Sequence, residues 1–599
     1  MLSYRKLAMR VLGRPLHTGG IDSPRPASQR AAAFILTAVM LTTLAAPAFA
    51  GTWSIENGDI TVKAGETGND VTQNNVTTKN DTDTIITNSD KDTASSHTVT
   101  IETNDKNDKV EVTLDNVNIK ADSGSALTSK GDVTLTLKGD NSLTGGNGGS
   151  GISSSGSLTI SGGENNSLTA QGGSGSGIFS SGGVTISGGT VNATGGSSSG
   201  GSDSGDGIHS GSLTISGGTV TATGGSGADG SGGSGIRTFS SGGVTISGGT
   251  VNATGGTGGT GENSNGGSGI YIYSSSGSLT VSGGTVTANG GSGGGNGGDG
   301  ISSTNTTISG GSTVTANGGN GGSLVGGDGI RSGGGLTVSD GTVTAKGGNG
   351  DSKDGYGGDG IRSGGVVTIS GNTVNAAGGY GGKVGGYGIC SFDRVAISGG
   401  TVEAAGGNGS TGGGSGIYSS VIDLSGSLEL TAKAGSPNGK ALSQNGSELV
   451  LDTIKDKLGP GAKVTATDAD GKVIDQVSTP RPVEPEESSS SSDGGSSAPS
   501  APASPLPGLT VTDKDGQRIS YTSTQSGNTL TVCVGRLTAS FRISLAALRQ
   551  LRAEGIETIA FQTVLCSTTL SVDELLAMGG EDAEAVLTHR FTDSSLTVG

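Results

Sequence analysis

The stretch that decides the fold reads Gly207-Ile208-His209-Ser210-Gly211-Ser212-Leu213-Thr214-Ile215-Ser216-Gly217-Gly218-Thr219-Val220-Thr221-Ala222-Thr223-Gly224-Gly225. Variants of it recur between residues 151 and 435, and the Gly-Ile pair returns after 26, 30, 28, 34, 31, 29, 31, 28 and 28 residues. A repeat of about 20–50 residues is typical of solenoids, in which each unit contacts only its neighbours. The sequence therefore predicts one long repetitive body. The isoleucines of the pair are Ile152, Ile178, Ile208, Ile236, Ile270, Ile301, Ile330, Ile361, Ile389 and Ile417.

Each copy contains three short segments in which apolar and polar residues alternate. In the copy that starts at Gly177 these are Ile178-Phe179-Ser180, Val184-Thr185-Ile186 and Thr190-Val191-Asn192-Ala193. Alternation with period two is the pattern of a half-buried strand, and the Gly-Gly pairs allow tight bends. Three strands per coil, stacked at about 4.8 Å, form a parallel β-helix. We therefore predict an all-β fold, a right-handed parallel β-helix solenoid, with about 11 coils in the repeat region.

The copies differ mainly between the closing Gly-Gly and the next Gly-Ile. Residues 197–206, 226–234 and 257–268 illustrate these segments, which vary in length and are rich in Gly, Ser, Asn and Asp. We expect them to project from one corner of the solenoid. Variable loops on a constant scaffold are common binding sites, but the same composition also suits solvated spacers.

The composition alone is ambiguous about order. With 121 Gly among 599 residues and 3% aromatic residues, the chain could be disordered or of low complexity. The periodic β-branched residues favour an ordered solenoid instead. The net charge of -17 argues against a nucleic acid partner, since phosphate binding needs a basic surface. An acidic surface suits a secreted protein or one that binds cations.

Residues 1–50 have the pattern of a signal peptide. Basic residues extend to Arg30, an apolar run covers residues 31–45, and Ala48-Phe49-Ala50 has the small-x-small pattern of a cleavage site. The end of the sequence has no apolar tail, so we predict no membrane insertion of the mature chain. We expect the protein to be secreted and extracellular, and the sequence leaves open whether it stays on the cell surface.

Changes in composition divide the mature chain into further parts. Residues 51–126 are expected to form an N-terminal cap with irregular first coils, residues 127–435 the repeat β-helix, and residues 436–479 the C-terminal coils and cap. Residues 480–507 are rich in Pro and Ser and are predicted to be a disordered linker. Residues 508–599 are predicted to be a small α+β domain, with a turn at Asp515-Gly516 and helices over residues 545–554 and 572–578.

A ladder of carboxylates is predicted at the residue before Gly-Ile. Aspartate occupies this position in four copies, three of them consecutive, as Asp206, Asp299, Asp328 and Asp359. Stacked about 4.8 Å apart, these carboxylates would repel one another unless a cation lay between them. Carboxylate and backbone oxygens are the ligands that Ca²⁺ takes, so the sequence predicts a calcium site here. The alternative is that Asp before Gly is an ordinary turn residue.

A second ladder is predicted at the residue after each isoleucine, which the alternation turns outward. Its members are Ser153, Phe179, His209, Arg237, Tyr271, Ser302, Arg331, Arg362, Cys390 and Tyr418. Aromatic faces bind sugar rings, and arginine forks bind carboxylates. We therefore predict that Arg237, Tyr271, Arg331, Arg362 and Tyr418 bind a ligand. The alternative is that these side chains merely cover the strand surface.

The repeat resembles a known family. The pattern Gly-Asp-Gly-Ile-x-Ser followed by Leu-Thr-Ile-Ser-Gly-Gly-Thr-Val-Thr-Ala is similar to that of the secreted carbohydrate-binding parallel β-helix proteins of clostridia. The resemblance covers residues 110–479 and implies a β-helix that binds acidic plant polysaccharide (polygalacturonate) and calcium. The chain departs from the pattern where Ser or Tyr387 replaces the Asp. The C-terminal domain is similar to tail domains of secreted proteins from gut clostridia.

Residues suited to catalysis are scarce. The paired-carboxylate motifs of β-helix glycosidases are missing from the sequence, and only four histidines are present. Of three cysteines, Cys533 and Cys566 share the small domain, where they could pair or remain free thiols. We predict a secreted, non-catalytic protein that binds an extracellular acidic polysaccharide or serves in adhesion, with calcium. The alternatives are a polysaccharide lyase, which Arg331 and Arg362 keep open, and a structural surface rod.

Overall fold

The computed structural model describes residues 50–103, 108–200, 203–239, 242–480, 509–513, 518–519, 521–526, 528–534, 539–563, 567–578, 583–589 and 594–598. The chain divides into two compact units, residues 1–484 and 485–599, which we describe separately. The predicted signal peptide (except Ala50), the linker from residue 481 on, the Asp515-Gly516 turn and Cys566 lie outside the described residues.

The first unit is a parallel β-solenoid of about 15 turns, which confirms the predicted fold class. Each repeat contributes strands to three stacks, and the strands pair in register with the equivalent residues of the next coil. Ile330 pairs with Ile361, Leu336 with Val367, and Val343 with Val374. We call these stacks the first, second and third sheets, in the order in which the chain enters them.

Strands of the first sheet carry the Gly-Ile isoleucines or their equivalents in the earlier and later coils. They are Ile60–Ala64, Val99–Glu102, Leu127–Ser129, Ile152–Ser154, Ile178–Ile186, Ile208–Ile215, Ile236–Thr238, Ile270–Ile272, Ile301–Ser303, Ile330–Ser332, Ile361–Ser363, Ile389–Ala405, Ile417–Leu424 and Leu442–Gln444. The longer ones bend and continue into the second sheet, and Ile389–Ala405 continues into the third.

Most of the remaining strands of the solenoid form the second and third sheets. In the second sheet they are Thr52–Ser54, Ile85–Thr87, Lys109–Asp115, Asp132–Lys138, Leu158–Gly162, Val244–Ile246, Ser278–Val281, Asn305–Ile308, Leu336–Val338 and Val367–Ala377, the last of which continues into the third sheet. In the third sheet they are Asn118–Lys120, Asp140–Thr144, Ser167–Gln171, Thr190–Thr194, Thr219–Thr223, Thr250–Thr254, Thr285–Asn289, Ser312–Asn317, Gly341–Lys346, Leu428–Lys433 and Lys463–Thr467.

The core is a set of ladders of identical or similar apolar side chains. The Gly-Ile isoleucines from Ile152 to Ile417 are all fully buried. The third sheet adds Val and Ala, as at Val343 and Ala345. Because equivalent side chains of successive coils stack on one another, the interior has the same width in every coil. Each coil buries its apolar surface against the coil before it and the coil after it.

The serine of the Gly-Ile-x-Ser motif also points inward. Ser332 Oγ lies 3.0 Å from the carbonyl oxygen of Thr304 and 2.8 Å from that of Gly335. Ser363 Oγ donates to the carbonyl of Gly334 at 2.7 Å. These hydroxyls satisfy backbone carbonyls at the bend between the first and second sheets, where a buried carbonyl without a partner would be costly.

Both ends of the solenoid depart from the parallel pattern. At the start, Asn69–Gln73 pairs antiparallel with Ile60–Ala64, and Val76–Asp81 pairs antiparallel with Asn69–Gln73. At the other end, Val473–Ser478 pairs antiparallel with Lys463–Thr467, and the short strand Ser447–Glu448 with Leu442–Gln444. Short 3₁₀ helices occur at residues 55–57 and 451–457. These elements cover strand edges that a bare terminal coil would expose.

The variable segments are built on a layer of stacked glycines. In one coil the Gly327 N–H donates to the Gly319 carbonyl at 2.8 Å, and the Gly327 carbonyl accepts the N–H of Gly348 in the next coil at 2.8 Å. The same zigzag of glycine-to-glycine bonds repeats from coil to coil as far as Gly435. The segments are therefore parts of the stacked coil at their base, which the interpretation as solvated spacers did not anticipate.

In its described residues, the second unit contains two four-stranded sheets and two helices. One sheet contains Leu509–Thr512, Ala539–Ser544, Glu584–His589 and Ser594–Val598, and the other contains Thr522–Ser526, Thr529–Cys533, Thr558–Gln562 and Ser567–Ser571. The helices span Leu545–Ala553 and Val572–Met578, close to the predicted bounds. Sequence analysis predicted strands at residues 509–511, 529–532, 538–541 and 558–561. It missed the other four strands, which are Thr522–Ser526, Ser567–Ser571, Glu584–His589 and Ser594–Val598.

Candidate functional site

The outward ladder lies along the first sheet. Arg237 pairs in register with Tyr271, Tyr271 with Ser302, and Arg331 with Arg362. The position two residues further along the strand faces the same way. We call the surface formed by the first and third residues after each isoleucine the arginine–aromatic face. Its charged and aromatic members are Phe179, His209, Arg237, Phe239, Tyr271, Tyr273, Arg331, Arg362, Phe392 and Tyr418.

Aromatic rings gather in the earlier coils of this face. The His209 ring packs edge-on against Phe239, with centroids 5.1 Å apart. The Arg237 guanidinium lies 5.6 Å from the Tyr271 ring centroid and 5.9 Å from that of Tyr273. Cation–π contacts of this length hold the arginine over the rings. The N-terminal aromatic cluster, as we call it, consists of Phe179, His209, Arg237, Phe239, Tyr271 and Tyr273.

A second group of rings lies in the later coils. The Arg362 guanidinium sits 5.2 Å from the Phe392 ring centroid. Tyr387 and Tyr418 stack with centroids 4.8 Å apart and planes inclined by 18°. Phe392 is 54% exposed, so its ring is available to a ligand. The C-terminal aromatic cluster consists of Arg362, Tyr387, Phe392 and Tyr418.

Cys390 lies in the outward register, as expected, but its side chain is not exposed there. Its side chain is 1% exposed, although it occupies the outward register. The larger side chains of Arg362 and Tyr418 flank it in register on the neighbouring coils. Burial raises the pKa of the Cys390 thiol well above its usual range, so the thiol stays protonated at neutral pH.

Sequence analysis missed four aromatic residues of this surface. Phe239, Tyr273 and Phe392 occupy the third position after the isoleucine, which alternation places on the same face as the first. Counting both outward positions would have found them. Tyr387 occupies the position at which other coils carry the ladder aspartate. Its ring packs against Tyr418 of the next coil, and the sequence did not predict that contact.

The arginine–aromatic face carries no acidic residue in a chain whose net charge is -17. Neither outward position contains Asp or Glu in any coil from Ile152 to Ile417. Burial, and to a lesser extent the charge of Arg237, lower the pKa of His209 to about 4, so the ring is neutral at pH 7. The exposed charge of the face is therefore that of Arg237, Arg331 and Arg362.

The predicted aspartates lie next to these arginines but below the surface. Asp206, Asp328 and Asp359 are buried, and Asp299 is partly buried. Asp328 Oδ1 accepts the backbone N–H of Asp359 at 2.8 Å, and Asp359 Oδ1 accepts that of Tyr387 at 2.7 Å. Asp206 and Asp299 make the same bond to the next coil. The aspartate ladder therefore joins successive coils.

The second carboxylate oxygens of Asp206 and Asp359 lie beside basic side chains of the face. Asp206 Oδ2 lies 3.2 Å from His209 Nδ1 and 3.9 Å from Arg237 Nη1. Asp359 Oδ2 is buried and finds no hydrogen-bond partner among the residues that the structure describes, and it lies 3.7 Å from Arg362 Nη1. These oxygens draw the arginines toward the ladder, which fixes where the guanidinium groups stand on the face.

Burial makes it costly to ionise the ladder. Burial raises the pKa of Asp359 to about 6, against the opposing effect of its backbone hydrogen bond and of Arg362. The pKa of Asp328 is raised well above its usual range, first by burial and then by the charges of Asp299 and Asp359. Arg362 opposes these shifts only in part. Stacked carboxylates thus repel one another here, as the spacing in sequence predicts.

The carboxylates alone do not supply a calcium coordination shell. Across the described parts of the chain, no group of three or more His, Cys, Asp or Glu side chains is placed to hold a metal ion. Ca²⁺ takes about 6–8 oxygen ligands, whereas each ladder aspartate already uses Oδ1 for a backbone N–H. Calcium binding therefore stays a prediction of the sequence.

The ladder leads to a prediction about pH. A carboxyl group whose pKa is raised by folding stabilises the fold below its ordinary pKa and loses that contribution as the pH rises through the folded value. The melting temperature of the solenoid should therefore fall as the pH rises from about 4 through about 6, the pKa of Asp359. The double variant Asp328→Asn/Asp359→Asn keeps the Oδ1 acceptors, so it should melt a few degrees higher than the parent at pH 8 and depend less on pH. Differential scanning calorimetry measures both.

Asp340→Asn is the matched control, because Asp340 is exposed on the same coil as Arg331. It should leave the pH profile of the parent unchanged. A double variant that melts lower than the parent at pH 8 would mean that the ionised carboxylates stabilise the solenoid, as a bound cation would make them do. Repeating the scans with Ca²⁺ and with a chelator separates these cases, because bound Ca²⁺ would raise the melting temperature of the parent alone.

Comparisons of the whole chain with protein-family models, with curated proteins and with solved structures gave no match. The resemblance to the clostridial carbohydrate-binding proteins therefore rests on the repeat motif alone. In the part of the chain that the structure describes, no helix has the length and apolar character needed to span a membrane.

Proposed function

We propose that the solenoid is a secreted carbohydrate-binding or adhesion protein whose ligand is an acidic polysaccharide such as polygalacturonate. The observation that carries this proposal is the arginine–aromatic face. It is free of acidic side chains in an otherwise acidic protein, and it combines three arginines with exposed rings. Sugar rings stack on aromatic faces, and uronate carboxylates accept paired hydrogen bonds from guanidinium groups.

The geometry favours binding over a purely structural role. Tyr273 is 62% exposed and Phe392 is 54% exposed, and each of these rings lies beside an arginine on the same face. The guanidinium groups of Arg237 and Arg362 are held in place over these rings. Prior positioning of this kind lowers the entropy cost of binding.

The proposal is tested with Arg331→Lys/Arg362→Lys. This double variant keeps the charge of the face but removes the guanidinium groups, each of which can donate two parallel hydrogen bonds to a carboxylate. We expect binding of polygalacturonate to weaken at least about tenfold, because Lys cannot replace a two-point contact with a carboxylate. Arg394→Lys is the control, since Arg394 is exposed but belongs to the second sheet. Isothermal titration calorimetry, with and without a chelator, measures the affinity and its dependence on calcium. Equal binding by parent and double variant would contradict the assignment of these arginines.

A polysaccharide lyase is the second candidate, and one contact favours it. Asp359 Oδ2 and Arg362 Nη1 lie 3.7 Å apart at the edge of the face, which places an acid beside a base where a uronate would bind. A lyase would release an unsaturated product that absorbs in the ultraviolet. Such absorbance after incubation of the protein with polygalacturonate, lost in Arg362→Lys, would replace the binding proposal with this one.

A further inference from the structure

The two aromatic clusters occupy one line along the solenoid. The coils of Ile270 and Ile389 are joined by four successive register pairings, through Ile301, Ile330 and Ile361. At about 4.8 Å per strand, Tyr273 and Phe392 are thus separated by roughly 19 Å along the axis. Each cluster presents an exposed ring at its inner end, since Tyr273 is 62% and Phe392 54% exposed.

The coils between the rings carry the charged part of the face. Ser302 and Thr304 leave one coil flat and polar, and Arg331 and Arg362 follow in the next two coils. Arg331 is exposed and Arg362 leans toward Phe392. Along the axis the order is therefore ring, polar gap, arginine, arginine, ring.

Across the axis the face is much narrower. In each of these coils the first and third residues after the isoleucine point outward, because the second residue points into the core, as Ser332 does after Ile330. A ligand that lay across the face would meet one cluster and at most one arginine. A ligand that lay along the axis would meet both rings and both central arginines.

We infer that the arginine–aromatic face binds one extended polyuronate chain along the solenoid axis, with the N-terminal and C-terminal aromatic clusters acting as linked subsites. This inference rests on the proposed function and names the form of its ligand. Arg331 and Arg362 hold carboxylates of the chain, and the rings of Tyr273 and Phe392 stack against sugars at its two ends. Two linked subsites raise affinity by making the second contact intramolecular.

The inference predicts a threshold in ligand length. Size-fractionated oligogalacturonides too short to bridge roughly 19 Å should bind weakly, and those that bridge it should bind about 10²-fold more tightly. With a long chain, Tyr273→Ala and Phe392→Ala should each weaken binding more than about tenfold and remove the threshold. The double variant should bind long and short chains equally and more weakly than either single variant, because only the central arginines remain to hold the ligand. Titration calorimetry with the full chain measures each affinity.

Tyr356→Ala is the matched control, because Tyr356 is an aromatic residue of similar exposure, 42%, that lies outside the face. It should leave affinity and threshold unchanged. Binding that rises smoothly with length, or a loss in only one of the two single variants, would overturn the inference and leave the proposed function standing. The absence of binding to any polyuronate, with alginate as a second source of uronates beside polygalacturonate, would overturn both.

Discussion

Replacing Ile330 with Asp is expected to unfold the coils around it. Ile330 is fully buried and stacks in register between Ile301 and Ile361. Removing a buried isoleucine side chain costs about 2–5 kcal/mol. A carboxylate in its place has no cation or donor in the apolar ladder, so the total loss in the free energy of unfolding should exceed that range. Hydrogen exchange measured by mass spectrometry should show fast exchange in the first sheet on both sides of residue 330.

Arg331→Asp provides the matched control, because it introduces the same charge one residue away. Arg331 points outward and is exposed, so its variant should keep the exchange pattern of the parent and lose far less stability than Ile330→Asp, although the new charge lies near the buried aspartates that Arg331 helps to neutralise. Ile330→Val, which keeps the apolar contact, should cost about 0.5–1.5 kcal/mol. Similar destabilisation by Ile330→Asp and Arg331→Asp would contradict the inward ladder.

The ladders could be predicted from the sequence because a solenoid repeats one local rule. In Gly-Ile-x-Ser, alternation alone places the isoleucine inside and the next residue outside, and the spacing of the copies sets which residues pair. Ile330 and Arg331 are examples of each orientation. The prediction did not depend on contacts between residues far apart in sequence, because every coil contacts only the coil before it and the coil after it.

The burial of Cys390 and the hydrogen bonds of the aspartates could not be predicted from the sequence, because they depend on the side chains and backbone that neighbouring coils bring to the same register. Cys390 occupies an outward position, yet the long side chains beside it bury the thiol. The aspartates appeared as possible calcium ligands or turn residues. Their hydrogen bonds to the next coil, as between Asp328 Oδ1 and the N–H of Asp359, require the exact bend of the backbone before Gly-Ile. Alternation carries no information about such a bend.

The sequence also did not reveal the glycine layer. This layer leads to a second prediction of a large loss of stability. Gly327→Ala is expected to destabilise the solenoid by about 3 kcal/mol or more. A Cβ atom at residue 327 would overlap the carbonyl oxygen of Gly298 in the preceding coil. That carbonyl accepts a hydrogen bond from Gly319 at 2.8 Å, within the zigzag that joins the coils. Neither backbone segment can move aside without breaking bonds to a third coil, so the clash cannot be relieved locally.

Gly333→Ala tests whether contact with the neighbouring backbone is the cause. Residue 333 lies just after the next Gly-Ile pair, and among the described residues its added Cβ would meet the carbonyl oxygen of Ser303 at 3.8 Å and Thr304 Cα at 3.9 Å. This substitution should be neutral or slightly stabilising, because Ala has less conformational freedom than Gly in the unfolded chain. Thermal melts followed by circular dichroism compare the two variants. If both melted like the parent, the glycine layer would have to be loose enough to admit a methyl group. The stacked segments would then act as the solvated spacers that their composition suggests, and the coils would be joined by the three sheets alone.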